Sequence, residues 1–248
     1  MRTQVKKFMP ALGAIGLVFA VGYCVYVYLR LPDVTVLQTR NPRTTALMLQ
    51  RYRQAQDKGK DLIIRQQWVS FERIPKLLKE AVRVSEDAGF YQHQGLDFTE
   101  LKAAIKKDWQ EGKYVRGAST ITQQLAKNLY LSTDKTIIRK IKELLIARRL
   151  EKHLNKNRIF QLYLNVIEFG PGVFGVQAAS QYFFHKAVSR LDLAEIVRLT
   201  AVIPKPLQVN AAGNSRWLRW KARWILNTLR RYKYIDQSQY QTVAALFK

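Results

Sequence analysis

Apolar and polar positions follow helical spacing along most of this chain, and one block stands apart: the 22 residues from Phe8 to Leu29 carry no charge, between Lys6-Lys7 and Arg30. At about 1.5 Å rise per helical residue the run spans about 33 Å, enough to cross a hydrocarbon core of about 30 Å once. Tyr23, Tyr26 and Tyr28 gather toward one end, where interfacial rings belong. A cleaved signal peptide is the competing reading, but the run exceeds an ordinary h-region and lacks a clean A-x-A site. Arg2, Lys6 and Lys7 favour a cytoplasmic N-terminus, while Arg30, Arg40 and Arg43 on the other flank weaken that inference.

Beyond the run, residues 30–61 read as a connector in which Pro32 and Pro42 discourage a long helix. From Pro75 a helix is expected, with Leu78, Val82 and Glu86 at four-residue spacing, which brings Glu86 to the edge of the apolar face. Asp97 or Thr99 caps the next expected helix, whose Leu101, Ile105 and Trp109 form one stripe and Lys102, Lys106 and Lys107 the other side. This element reads equally as a packed surface helix or as a basic amphipathic element on lipid.

Further helices are expected from Ser119 to Leu131, from about Asp134 to His153 behind a Ser132 or Thr133 cap, from Asn155 to Leu164, from Asp192 or Leu193 to Val202, and from Trp217 to Tyr232. In the second of these, Ile137, Ile141, Leu144 and Leu145 form the expected buried stripe. Gly170-Pro171-Gly172 and Gly175 mark a tight loop. Alternating strand patterns are scarce, so the fold class is mainly α with one N-terminal transmembrane helix.

The remainder after the anchor suits one domain, since no Gly/Ser-rich or Pro-rich linker divides it. Cys24 is the only cysteine, so no intramolecular disulfide forms. The formal charge of +24 attracts phosphates and anionic headgroups. The tether and the lack of zinc-finger, RNP or basic-zipper spacing argue against nucleic acid.

Three clusters carry candidate chemistry. In Glu86-Asp87-Ala88-Gly89-Phe90-Tyr91-Gln92-His93-Gln94-Gly95, a carboxylate at the edge of an apolar face loses hydration, and its pKa rises toward that of a general base. On side-chain chemistry alone the pair also reads as a solvated helix end. His93, His153 and His185 give no metal-ligand pattern. Arg116-Gly117-Ala118-Ser119-Thr120-Ile121-Thr122-Gln123-Gln124 opens a helix with free N–H groups and hydroxyls suited to phosphate or sugar oxygens, with Lys127 and Asn128 following; an ordinary N-cap is the plain alternative. Arg139, Lys140 and Glu143, then Arg148, form the third cluster, which otherwise reads as surface ion pairs. Cations outnumber acids, and they suit a leaving group that already carries negative charge, such as a diphosphate.

EDAGFYQHQG, RGASTITQQLAKN, RKIKE with Arg148, YLN at Tyr163–Asn165 with FGPGVFGVQAAS, and AVIPKP at Ala201–Pro206 together resemble the peptidoglycan glycosyltransferases. This domain occurs at the N-terminal end of bifunctional penicillin-binding proteins and alone in monofunctional biosynthetic transglycosylases. The resemblance covers about Trp68 to Pro206, and with no transpeptidase region before Lys248 the monofunctional form is expected. It implies a lysozyme-like domain over residues 62–248, with a head and a membrane-associated jaw near Leu96–Trp109. Residues 1–7 would be cytoplasmic, 8–29 the anchor in the cytoplasmic (inner) membrane, and the domain periplasmic or otherwise extracytoplasmic.

The implied reaction joins the GlcNAc 4-hydroxyl of lipid II to the growing polyprenyl-diphosphate glycan, giving an inverted β-1,4 linkage and free undecaprenyl diphosphate. Glu86 would be the base. Glu143 would assist on the donor side, optionally through a divalent cation (magnesium or manganese), the one cofactor the resemblance admits. Lys127, Arg139, Lys140 and Arg148 would hold diphosphate, and Asp87, Phe90, His93, Gly117, Ser119, Thr120, Gln123, Gln124 and Asn128 would build the cleft. The implied partners are lipid II, the membrane and other cell-wall synthesis or division proteins. A lysozyme or lytic transglycosylase acting on finished glycan is the rival activity, and a non-enzymatic envelope scaffold the rival class. The expected role of Trp217, Trp220 and Trp224 is aromatic packing within a terminal helix.

Overall fold

The computed structural model describes residues 29–97 and 119–248, together with Gly22. The transmembrane run apart from Gly22 and Leu29, the Thr99–Trp109 helix expected for the jaw, and Gly117 lie outside the described residues. Among the described residues no helix is long and apolar enough to cross a membrane.

The fold is mainly helical. The helices are α1 (Ala46–Gln56), α2 (Lys76–Glu86), α3 (Ile121–Tyr130), α4 (Ile137–His153), α5 (Lys156–Val166), α6 (Val176–Phe184), α7 (Leu193–Val202), α8 (Arg216–Arg231) and α9 (Gln237–Ala245). Caps agree with the local sequence: Thr120, Thr136, Asn155 and Ser215 each accept a backbone N–H at the start of their helix, and Asp192 with Glu195 completes a capping box. α4 therefore starts later than the Ser132 or Thr133 cap anticipates.

Helix α3 sits at the centre, packed on α1, α4 and α5, while α7 joins α2 to α8. Three short strands, β1 (Arg65–Gln66), β2 (Glu168–Gly170) and β3 (Val173–Phe174), form a sheet of order β1-β3-β2, with β1 parallel and β2 antiparallel to β3. The glycine-rich loop belongs to the β2–β3 hairpin. Gly175 has φ +82°, and a Cβ there would lie 2.5 Å from the Asn165 carbonyl oxygen, so no side chain fits. Asn165 is itself fully buried; it accepts from the Val69 N–H at 2.8 Å and donates to the Val69 carbonyl at 3.0 Å, fastening α5 to the segment before α2.

Two expectations change. Residues 30–61 are built into the fold: Leu31, Val34 and Leu37 are buried in the main core, and α1 follows Pro42, where the proline is no obstacle. Its Arg51 pairs at 2.9 Å with the buried Glu168 of β2. The buried stripe of α4 is also rotated. Glu143, Ile146, Ala147 and Leu150 face inward, whereas Ile137 and Ile141 are 80% and 48% exposed. The polar contacts of Lys140 and Glu143 beside α3 set this rotation in place of the outer isoleucines.

Candidate active site

Helix α2 buries Leu78, Ala81 and Val82, and its last residue, Glu86, emerges where the apolar face meets a cavity of about 560 Å³. Ser85, Asp87, Ser119, Thr120 and Gln124 share that cavity. Burial pushes the Glu86 carboxyl above its ordinary range, against the opposing charge of Lys221 and hydrogen bonds from Gln124 and Ser85. Gln124 donates from Nε2 to Glu86 at 3.3 Å, while its Oε1 accepts from the Tyr163 hydroxyl at 2.9 Å. The carboxylate accepts only and therefore takes the amide nitrogen, which leaves the amide oxygen to the tyrosine hydroxyl. Tyr163 is fully buried, which holds its phenol well above its usual pKa and keeps it a donor.

The loop after Glu86 is held from three sides. Asp87 accepts from the Ile121 N–H at 2.9 Å and pairs with His93 Nε2 at 2.9 Å. His93 Nδ1 accepts from the Gly95 N–H at 3.1 Å, which leaves Nε2 as the protonated nitrogen. The Gly95 carbonyl accepts from Thr120 Oγ1 and Gln123 Nε2, at 2.8 and 3.2 Å. Phe90 is wholly buried, with its ring centroid 5.4 Å from that of Phe160. Asp87, His93, Thr120, Gln123 and Phe90 therefore position the loop and the start of α3.

Across α3 lies a second polar centre. Glu143 is 2% exposed and is paired with both Arg139 and Lys140. Lys140 Nζ also donates to Ser119 Oγ at 2.9 Å and Gln123 Oε1 at 3.3 Å. Lys127 faces the same charges, and burial among them lowers its pKa while Glu143 opposes the shift. Asn128, one residue on, is buried. Consecutive glutamines of α3 thus serve the two centres, Gln124 at Glu86 and Gln123 at Lys140.

Arg148 does not join them. It is exposed, reaches the Gln94 carbonyl at 3.5 Å and lines a separate groove with His93 and Glu151. A divalent cation at Glu143 does not fit the donors there, since both partners on its carboxylate are cations. The potential metal-ligand group that the described residues bring together is Asp87, His93 and Asp97, without Glu143.

The sequence reading missed one wall. Trp217, Trp220, Lys221 and Trp224 of α8 line the Glu86 cavity, so this helix is more than a terminal packing element. Lys221 is 7% exposed, with Nζ 4.0 Å from the Trp224 ring centroid. A lysine this buried in an amphipathic helix is its one sequence signal, and it is visible only once the helix faces are known. Arg83 was also missed. It donates to Glu80, to the Ala88 carbonyl and to the Tyr234 hydroxyl, bracing the loop beside Glu86 against the C-terminal region.

Residues 57–230 match the family model described as Transglycosylase. A biosynthetic peptidoglycan transglycosylase of Methylobacillus flagellatus is 44% identical over 185 residues, 75% of this chain and 81% of the relative. Proteins of the same name from Chromobacterium violaceum and Paraburkholderia xenovorans are 42% and 38% identical, over 79% and 85% of this chain and 85% and 88% of theirs.

Proposed function

Because the chain belongs to the transglycosylase family, we propose that it is a peptidoglycan glycosyltransferase that polymerises glycan from lipid II at the outer face of the cytoplasmic membrane. Phe8 to Leu29 would hold it there, with residues 1–7 cytoplasmic and the domain extracytoplasmic. The observation that carries the reading is the pairing of two unlike centres across α3: a carboxylate raised by burial at Glu86, and cations gathered around Glu143.

Glu86, ionised, accepts the proton of the GlcNAc 4-hydroxyl of lipid II. That oxygen attacks C1 of the terminal MurNAc of the growing chain from the face opposite the diphosphate. The new C4–O–C1 bond forms as the bond from C1 to the diphosphate oxygen breaks, inverting the centre. The departing undecaprenyl diphosphate already carries negative charge, so it needs cations rather than a proton. Lys140, Arg139 and Lys127 supply them, with Ser119 and Gln123 fixing the Lys140 ammonium. Glu143 holds Arg139 and Lys140 in register, and no step is assigned to a metal ion.

The full chain given lipid II should produce polymeric glycan and release undecaprenyl diphosphate. Cleavage of preformed glycan without polymer from lipid II would favour the lytic reading and overturn this one. Running the assay with and without EDTA decides whether the protein's own cations suffice for the diphosphate.

A further inference from the structure

The two exposed sides of α8 do different things. Trp217 and Trp220, with ring centroids 5.1 Å apart, stand between the Glu86 cavity and a second groove of about 520 Å³ on the outer side of the helix. That groove is lined by Arg216, Arg219, Arg223 and Lys248 around the same two rings. No Asp or Glu side chain lines it, and none of the four basic side chains has an ion-pair partner among the described residues.

Arg216, Arg219 and Arg223 follow i, i+3, i+7 spacing, which sets them in one row on the helix, and Trp220 stands in that row 47% exposed. The row covers about 10 Å along the axis, at about 1.5 Å per residue. Guanidinium groups bind phosphate oxygens in pairs, and an indole ring prefers the boundary between headgroups and acyl chains. A soluble anion would call for converging, buried donors, whereas this is a row along one helix with Arg216, Trp220 and Arg223 exposed and Arg219 half-buried, suited to a flat array of phosphates.

We propose that the outer face of α8 rests on anionic phospholipid headgroups, seating the mouth of the Glu86 cavity at the bilayer surface. The proposal rests on the membrane-bound reading given above and adds the surface that makes the contact. Sharing a wall with the cavity gives the contact a purpose: a substrate sugar attached to a polyprenyl tail reaches Glu86 only if the cavity opens close to the headgroups. The lipid specificity follows from the charge of the row.

The test reconstitutes the full chain into phosphatidylcholine vesicles with or without phosphatidylglycerol, both containing a lipid brominated high on its acyl chain, and follows tryptophan quenching and lipid II polymerisation together. Quenching should be stronger with phosphatidylglycerol. Trp220→Phe should lose that excess, and the triple variants R216E/R219E/R223E and R216Q/R219Q/R223Q should fall to the phosphatidylcholine level with unchanged circular dichroism. Equal quenching in all variants, with polymerisation intact, would overturn the lipid contact and leave the transferase reading standing. Trp220 emission that responds only to added lipid II would make the face a substrate surface and overturn the proposal too. Lipid-dependent quenching without any polymer would support the contact while overturning the transferase reading.

Discussion

Glu86 and Glu143 lie on either side of α3, and the protein treats the two carboxylates in opposite ways. Glu86 ends its helix, where the partial negative charge of the C-terminus disfavours ionisation, and its direct hydrogen-bond partners are the uncharged Gln124 and Ser85. Glu143 lies in the middle of α4 with Arg139 and Lys140 both on its oxygens. The first keeps its lone pairs available in a cavity; the second spends its charge holding two cations. In the proposed mechanism one residue type thus serves as base and as anchor, and the neighbours decide which.

Removing the proposed base separates the two roles most sharply. Glu86→Gln keeps the shape of the side chain and should reduce polymerisation from lipid II by about 10³-fold, within the 10² to 10⁴ typical of a general base. It should also raise the melting temperature at neutral pH. A carboxyl whose folded-state pKa lies above its unfolded value of 4.5 favours the fold most at low pH and loses that contribution as pH rises through the raised value. A neutral glutamine escapes the penalty. Lower activity together with a lower melting temperature would mean that Glu86 is structural.

At the other carboxylate the sign should reverse. Glu143→Gln leaves two cations facing each other without their shared anion, so stability should fall by about 1–3 kcal/mol. The range is set below the 3–5 kcal/mol of a fully buried pair because the Lys140 side chain is 41% exposed. Polymerisation should drop by roughly 10²-fold, as when one preorganised electrostatic group is lost. Chemical denaturation and donor kinetics check the two effects, and a destabilised protein with normal donor kinetics would confine Glu143 to the fold.

How much of this contrast could be seen in the sequence differs between the two sides. The α2 periodicity put Glu86 at the edge of an apolar face, and the motif resemblance named both carboxylates, but resemblance carries no coordinates. It grouped Arg148 with the diphosphate cations, whereas that side chain reaches toward Gln94 in another groove. Hydrophobic counting also misjudged α4, because Ile137 and Ile141 outweighed a glutamate whose burial depends on partners three and four residues before it. Helices α1, α6 and α9 escaped notice because their apolar positions are too few or too uniform for a distinct stripe. The α8 wall was illegible for a different reason: Lys221 becomes meaningful only when α7 brings α8 against α2.

Lys221 is also where the comparison can be tuned without touching either carboxylate. Its charge lowers the Glu86 pKa against the upward pull of burial. Lys221→Met should move the acid limb of the pH profile of kcat/KM to higher pH, since Glu86 must be ionised to act. A shift of one unit would reduce the rate about tenfold on that limb and leave it nearly unchanged well above it. An unmoved limb would remove Lys221 from the electrostatics of the base.

The smallest effect on catalysis is expected at Tyr163. Tyr163→Phe deletes only the hydroxyl that donates to Gln124 Oε1, so a part-buried acceptor loses its partner at a cost of about 1–3 kcal/mol in stability. The Glu86 carboxylate accepts only and still draws the Gln124 amide nitrogen, but without the tyrosine at Oε1 the amide is less firmly placed and its hydrogen bond to Glu86 weakens. A weaker donor favours ionisation less, so the acid limb should move upward, as in Lys221→Met but by less. The Glu143 centre is reached through Gln123 of α3 and Ser119 just before it rather than through Gln124, and donor KM should stay as it was. A change in donor KM as large as the change in the pH profile would mean that the two centres are coupled through α3, and the division between base and anchor would no longer hold.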